Sequence, residues 1–311
     1  MDGYPILVGY DGSEGSRVAL RWALEDGARR GLAVLLMHVV EFPWRVPSQS
    51  AAHADTVGED LLDEAESVLG KVAAEAAAVA PSGVEVTSRV LAGPVSGTLC
   101  EESCRASMVV LGRRGTGGFM GLPVGSVSVA VATHAQCPVV VVVRDDAPPS
   151  PNSPIVVGVE ESADARLAVG FAFEEAAARG AGLVAVRAWT PPSSPWRSDR
   201  WPLDLDTDEV ELAERNLASH TLHDWCERYP AVEVSVQTVS ATPAHALEIA
   251  SRDAQLLVVG CQGRGGFHGL LLGSVSVQVL HHARCPVAVV RHYIAPSTEV
   301  GAAAAADHDC N

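Results

Sequence analysis

The chain has 311 residues, enough for two domains of ordinary size, and 48% of them are hydrophobic, ample for buried cores. A formal net charge of −16 argues against nucleic acid or an anionic membrane surface as partner, because both would repel it. Lys71 is the only lysine, so no Lys-dependent phosphate loop and no Schiff-base chemistry can operate anywhere else.

The first ten residues begin on an acidic position and pass directly into a strand pattern over 4–9, without the basic and apolar regions of an export signal. Seven scattered cysteines form no Cys-x-x-Cys pair, and no apolar run reaches the ~20 residues of a spanning helix. A cytoplasmic protein with reduced thiols is expected. The first strand runs out in Gly9-Tyr10-Asp11-Gly12-Ser13, and a helix is predicted over 14–30. Strands follow near 32–40, 83–91, 107–111 and 138–143, with helices near 57–80, 95–105 and 125–135. These strands read as short, Val-rich and apolar throughout, so both of their faces should be buried. The segment 125–135 alternates Ser and Val as a strand would, but two parallel strands need a crossover between them, so it is assigned as a helix.

The segment from Arg144 to Pro154 carries four prolines and cannot continue a sheet. After it the pattern repeats. Ile6–Asp11 recurs as Ile155–Glu160, Arg30-Gly31 as Arg179-Gly180, Pro81 as Pro230 and Pro94 as Pro243, each 149 positions on. Past one deleted residue the offset is 148, carrying Gly112 to Gly260, Gly125-Ser126 to Gly273-Ser274, and Cys137-Pro138 to Cys285-Pro286. Strands are predicted near 154–159, 182–189, 231–239, 255–259 and 286–291. The domains are therefore 1–144 and 154–292, joined by a Pro-rich linker at 145–153 and followed by a tail at 293–311 that reads as disordered. Each half is α/β, a five-stranded parallel doubly wound sheet. Val139–Val143 would be an aggregation-prone edge if bare, so it should pair with the equivalent strand of the other half.

The strongest chemical signal follows the fourth strand of each half. Gly112-Arg113-Arg114-Gly115-Thr116-Gly117-Gly118 leads to Gly125-Ser126-Val127-Ser128, and Gly260-Cys261-Gln262-Gly263-Arg264-Gly265-Gly266 leads to Gly273-Ser274-Val275-Ser276. The shared spacing is Gly-x2-Gly-x9-Gly-Ser. Successive glycine amides can turn inward to hold an anion, and the Gly-Ser step opens a helix whose free N–H groups favour phosphate. The Ser126 and Ser274 hydroxyls can cap that helix or donate to a ligand, and Arg113, Arg114 and Arg264 are the nearby cations. The competing reading is a flexible connector, which two copies at one spacing disfavour. No Gly-Lys-Ser/Thr occurs, so neither loop is a P-loop. If strands 1 and 4 flank the point where strand order reverses, Asp11 faces the same crevice. There it could hold a ribose hydroxyl, Mg²⁺ or an adenine amine, or it could only cap the next helix.

Lesser features carry weaker signals. His220, His223, His281 and His282 could touch a metal, but no acidic or Cys cluster completes a site. Cys261 lies within the second loop, where an anion nest would lower a thiol pKa. Trp44, Trp189, Trp196 and Trp201 fall in or beside the long connections after the second strand of each half, to cover a pocket or to meet another subunit.

Together the strand-1 Val-Gly-x-Asp-x-Ser pattern, the glycine motif and the closing Cys-Pro-Val strand resemble the universal stress protein family. They look like its tandem, ATP-binding branch known from mycobacteria. The resemblance covers about 4–143 and 154–291, and implies for each half an adenine nucleotide α-hydrolase-like fold with strand order 3-2-1-4-5. It implies that adenine meets backbone near Val39, that Gly9 and Asp11 lie beside the nucleoside, and that Gly93 borders the ribose. The triphosphate, accompanied by Mg²⁺, would be held by Gly112, Gly115, Gly125, Ser126, Val127 and Ser128. In the second half the corresponding positions include Gly158, Glu160, Gly260, Gly263, Gly273 and Ser274. There Glu160 replaces Asp and Thr242 is matched to Gly93, so weaker binding is expected and the first half is favoured. No His or Glu recurs at both loops to position water, so the chain reads as a nucleotide-dependent regulator of a stress or growth response, working with a protein partner and forming a homodimer of tandem chains. The alternatives are a weak ATPase or phosphotransfer enzyme, or a scaffold with only the first site functional.

Overall fold

The computed structural model describes residues 3–42, 51–81, 83–116, 123–143, 150, 152–190, 207–263 and 271–291. The first half contains β1 (Ile6–Gly9), α1 (Glu14–Arg30), β2 (Val34–Val40), α2 (Ala51–Val79), β3 (Val86–Ala92), α3 (Val95–Glu102), β4 (Met108–Gly112), α4 (Ser126–His134) and β5 (Val139–Val142). The second contains β6 (Ile155–Gly158), α5 (Ala163–Arg179), β7 (Leu183–Trp189), α6 (Thr207–Arg228), β8 (Val234–Ser240), α7 (Pro243–Ala250), β9 (Leu256–Gly260), α8 (Ser274–His282) and β10 (Val287–Val290).

Local chemistry sets the helix ends. The Ser13 hydroxyl accepts the Ser16 N–H at 3.1 Å to start α1, and Gly31, with φ 67°, ends it in the left-handed conformation that glycine alone adopts freely. Ser162 and Gly180 do the same for α5. The Ser/Val alternation of 126–131 does form a helix, α4, with Ser128, Val131 and Ala132 turned inward at helical spacing. The need for a crossover between β4 and β5 outweighs the local period.

The described strands form one ten-stranded sheet in the order β3-β2-β1-β4-β5-β10-β9-β6-β7-β8. Each half is parallel with order 3-2-1-4-5, and the halves meet where β5 and β10 pair antiparallel, Val139 opposite Val289 and Val141 opposite Val287. The expected pairing of the valine edge is thus made within one chain. Alternate residues divide the core in two. Ile6 and Val8 face the side covered by α1, α2, α5 and α6, while Leu7, Val109 and Val139 face α3, α4, α7 and α8.

Two expectations change. The outer strands are not buried on both faces: Thr87, Ser88 and Arg89 of β3, and Ser235 and Gln237 of β8, are exposed, because among the described helices only α2 and α6, on one face of the sheet, pack closely against these strands. The deleted residue lies earlier than the prolines suggested. Val34 pairs with Val86 and its counterpart Leu183 with Val234, so the offset is already 148 at β3. Gly93 therefore corresponds to Ala241, and Thr242 to Pro94, the residue before the helix. The linker apart from Ser150, Asn152, Ser153 and Pro154, the tail at 293–311, and Trp44, Trp196 and Trp201 lie outside the described residues.

Candidate functional site

Both glycine loops leave the carboxyl end of the fourth strand of their half and pass beneath the start of that half's first helix. A side chain on Gly112 would run into the backbone of Gly15, and one on Gly15 into the Arg114 carbonyl, so strand end and helix start touch backbone to backbone. Gly260 packs likewise against Asp164 and Ala165. The Ser128 hydroxyl donates to the Gly112 carbonyl at 2.9 Å, and Ser276 to Gly260 at 2.7 Å, tying each loop to the helix that follows it. These two hydroxyls hold the frame; their backbone N–H groups belong to the open first turn.

That turn is what an anion needs. The residues before α4 and α8 are Gly125 and Gly273, both extended and without a side-chain cap. The expected capping by Ser126 and Ser274 is not made, because each is the first helical residue rather than the residue before the helix. The amides of the first turn consequently face a ligand or solvent, with the positive end of the helix dipole behind them.

Asp11 does not cap α1, a role taken by Ser13. Its Oδ2 accepts the Thr116 N–H at 2.8 Å and its Oδ1 the Ser13 N–H at 3.0 Å, strapping the glycine loop to β1. Burial pushes the Asp11 carboxyl up, but hydrogen bonds from Ser13 and from the Thr116 amide outweigh it and hold the group below the ordinary carboxylate value. A side chain at Gly115 would collide with this carboxylate. In the second half the strap moves to Asp164, whose Oδ2 accepts the Gln262 N–H at 3.0 Å. Glu160 instead accepts the Ser162 hydroxyl at 2.8 Å, and its extra methylene carries the carboxylate toward Gly263 of the glycine loop.

A cavity of about 600 Å³ opens in the second half, over the ends of β6, β7 and β9 and between α7 and α8. Gly158, Glu160, Gly260, Gly263, Gly273, Ser274, Val275 and Ser276 all line it, so the strand-1 end and the glycine-to-helix turn of the second half meet around one cavity. Val186, Ala188, Leu247 and Val259 supply its apolar wall. Sequence reasoning missed these four, although Ala188 could have been found as the repeat partner of Val39. Thr242 is exposed and is not among the lining residues, so the bulk expected beside a sugar is not there.

In the first half the corresponding wall is heavier. Leu111 stands where the second half has Val259, and Met37 where it has Val186. A side chain on Gly9 would strike Leu111, whereas on Gly158 the nearest neighbour would be Leu247 at 3.2 Å. Val39 is buried, and Gly93, with φ 153°, donates its N–H to the Val40 carbonyl at 3.0 Å. A cavity of about 360 Å³ opens here on the opposite sheet face, between α2 and the ends of β1 and β2, lined by Tyr10, Asp11, His38, Val40 and Glu64 among others. Its repeat position is filled in the second half by Arg187, which replaces His38 and binds Glu161 at 2.7 Å and Glu214.

The proposed phosphate cations separate. Arg113 is half-buried and reaches across to the Ala283 carbonyl at 3.5 Å, away from its own loop, while Arg114 is exposed. Gly117, Gly118, Arg264, Gly265 and Gly266 lie outside the described residues. Cys261 corrects the expected nest effect: it is fully buried, its Sγ lies 3.0 Å from the Leu271 carbonyl, and burial raises the thiol pKa despite nearby Arg291. Among the described residues no three potential ligands gather as a metal site, and no helix is long and apolar enough to cross a membrane.

The sequence profile of the family described as "Universal stress protein family" matches residues 4–143 and 151–291. Universal stress protein Rv2623 of Mycobacterium tuberculosis is 36% identical over 297 residues, covering 92% of this chain and 96% of that protein. A universal stress protein of Mycolicibacterium smegmatis is 37% identical over 301 residues, covering 93% and 97%. Among solved structures, a universal stress protein from Archaeoglobus fulgidus superposes with a TM-score of 0.67 at 22% identity, covering 94% of this chain and 99% of that one, a likeness of fold. With two family domains on one continuous sheet, this chain belongs to the universal stress protein family.

Proposed function

We propose that the chain is an ATP-binding regulator, and that its second half holds the nucleotide. The observation that carries this is the coincidence of an uncapped helix start, a glycine turn and an apolar wall around one cavity of about 600 Å³. That volume lies in the range of small-molecule sites, with a few polar groups fixing orientation against an apolar lining. The base would lie against Val186, Ala188 and Leu247, and the phosphates against the amides of Gly263, Ser274, Val275 and Ser276. Mg²⁺ would arrive with the triphosphate, since the described residues offer no cluster to hold it alone. The first half would bind more weakly, its wall being narrowed by Leu111 and Met37.

Binding without rapid turnover follows from the lining. Among the described residues it includes no histidine, and its one carboxylate, Glu160, accepts a hydrogen bond from Ser162, so none of them is placed to activate water. Slow hydrolysis is the second reading. Nucleotide occupancy would act by changing how the surface around α7 and α8 meets a protein partner. Because β5 and β10 satisfy each other within the chain, a homodimer of tandem chains would need another surface.

The test is calorimetric titration of the full-length chain with Mg-ATP, together with analysis of the nucleotide released on denaturing the purified protein. One tight site, with ATP as the released species, is expected. Absence of binding, or steady conversion to ADP at enzymatic rates, overturns the proposal.

A further inference from the structure

On the face of the sheet opposite the large cavity, α1 and α5 pack against each other across the seam between the halves, and four charged side chains are enclosed there. Asp26 and Glu175 are fully buried, and Arg30 and Arg179 are 17% and 5% exposed. Each arginine binds the carboxylate one turn back in its own helix and the carboxylate of the other half. Arg179 lies 2.7 Å from Asp26 and 2.9 Å from Glu175, while Arg30 lies 3.1 Å from Asp26 and also contacts Glu175. The guanidinium of Arg30 stacks over Phe171 and that of Arg179 over Trp22, at 5.3 and 5.2 Å. Asp26 corresponds to Glu175, Arg30 to Arg179 and Trp22 to Phe171, all 149 positions apart, so the quartet lies on the two-fold relation of the repeat.

Two negative charges are held close together in this dry setting, and their compensation is imperfect. Asp26 Oδ2 and Arg30 Nε are buried without a well-directed hydrogen bond, although they face each other. The surroundings add little relief. From α1 come Arg29 and its partner Glu25. From α5 comes Glu174, which faces Arg30 and, on α6, Arg228. The strands beneath, β4, β5, β9 and β10, contain no ionisable residue. Burial, then repulsion from Glu175, push the Asp26 carboxyl up to about 6 against the opposing pull of Arg179, Arg30 and Arg29.

We propose that this quartet is a proton-binding site in the seam: mild acid places one proton on the Asp26–Glu175 carboxylate pair and strengthens the packing of α1 against α5. The proton comes from solvent, leaving two arginines with one carboxylate and one neutral acid that still accepts from Arg179. The direction follows from linkage. A carboxyl raised on folding contributes stability that is full below its ordinary value near 3.8 and is lost as pH rises through about 6. Acidification from pH 7 to 5 therefore favours the packed form about tenfold through this group.

Two measurements on the full-length chain decide it. In carboxyl ¹³C spectra between pH 8 and 4, a resonance absent from Asp26→Asn should titrate near pH 6, and Glu175→Gln should move it lower by removing the neighbouring negative charge. In denaturant titrations, the wild-type folding constant should gain about tenfold over Asp26→Asn between pH 7 and 5. A carboxyl pair titrating entirely below pH 5, or identical pH dependence of wild type and Asp26→Asn, overturns the proposal. If Asp26→Asn does not fold, the wild-type and Glu175→Gln spectra decide alone.

Discussion

The first and second halves build the same glycine turn at the same place, yet the cavities described in them open on opposite faces of the sheet. In the second half Val186 and Val259 leave room above the turn, and on the other face Arg187, with Glu161 and Glu214, fills the space beside α6. In the first half Met37 and Leu111 thicken the wall above the turn, while His38, shorter than arginine, leaves space beside α2 and donates instead to the Tyr10 carbonyl at 2.7 Å. Three side-chain differences thus accompany cavities described on opposite faces of the sheet. Under the proposed function, the duplicated loop would hold phosphate in either half, and the residues around it would decide whether a base can lie alongside.

The comparison can be broken most forcefully at Arg187. Arg187→Ala should cost about 3 kcal/mol in urea unfolding, because it leaves Glu161 and Glu214 without their shared partner and removes a buried stem. The same substitution should open beside α6 a cavity like that of the first half, visible in a crystal structure. Ser274→Asp tests the turn itself. A carboxylate on the first helical residue suits the helix dipole but faces phosphate, so ATP affinity should fall by about a hundredfold or more with stability unchanged or raised. Ser126→Asp should have little effect on the tight site, and equal losses from both substitutions would end the distinction between the halves.

Smaller effects sharpen it. Asp11→Ala removes the strap between β1 and the first glycine loop and should cost at most about 1 kcal/mol at pH 7, because water can take over the exposed Thr116 and Ser13 amides. Since the Asp11 carboxyl is held below its ordinary value, that contribution is present above about pH 4 and lost as pH falls through the lowered value. The gap between wild type and variant should therefore close in acid, the reverse of the trend expected for Asp26. Leu111→Val should cost about 1 kcal/mol and raise nucleotide affinity in the first half several-fold, as measured by titration in a Ser274→Asp background.

Much of this was legible before any coordinates. The helix read over 14–30 is α1, closed by Ser13 and Gly31 through contacts between residues a few positions apart. The glycine-to-helix turn was legible for the same reason, and the second-half residues it named do surround one cavity. The prolines misplaced the deleted residue, since only the pairing of β2 with β3 and β7 with β8 reports register. Arg113 was assigned to phosphate by nearness in sequence, but the carbonyl end of α8 from the other half lies within its reach.

The sequence by itself determined the duplication, the alternation of strand and helix, and the need to cover a valine edge. Each of these is a matter of spacing along the chain or of a surface that water will not tolerate. Tertiary structure alone decided where the described cavity of each half opens, which acid straps each loop, and that Asp26, Arg30, Glu175 and Arg179 share one dry space. Those outcomes depend on side chains some 150 positions apart competing for the same few ångströms, and neither local propensity nor periodicity carries that information.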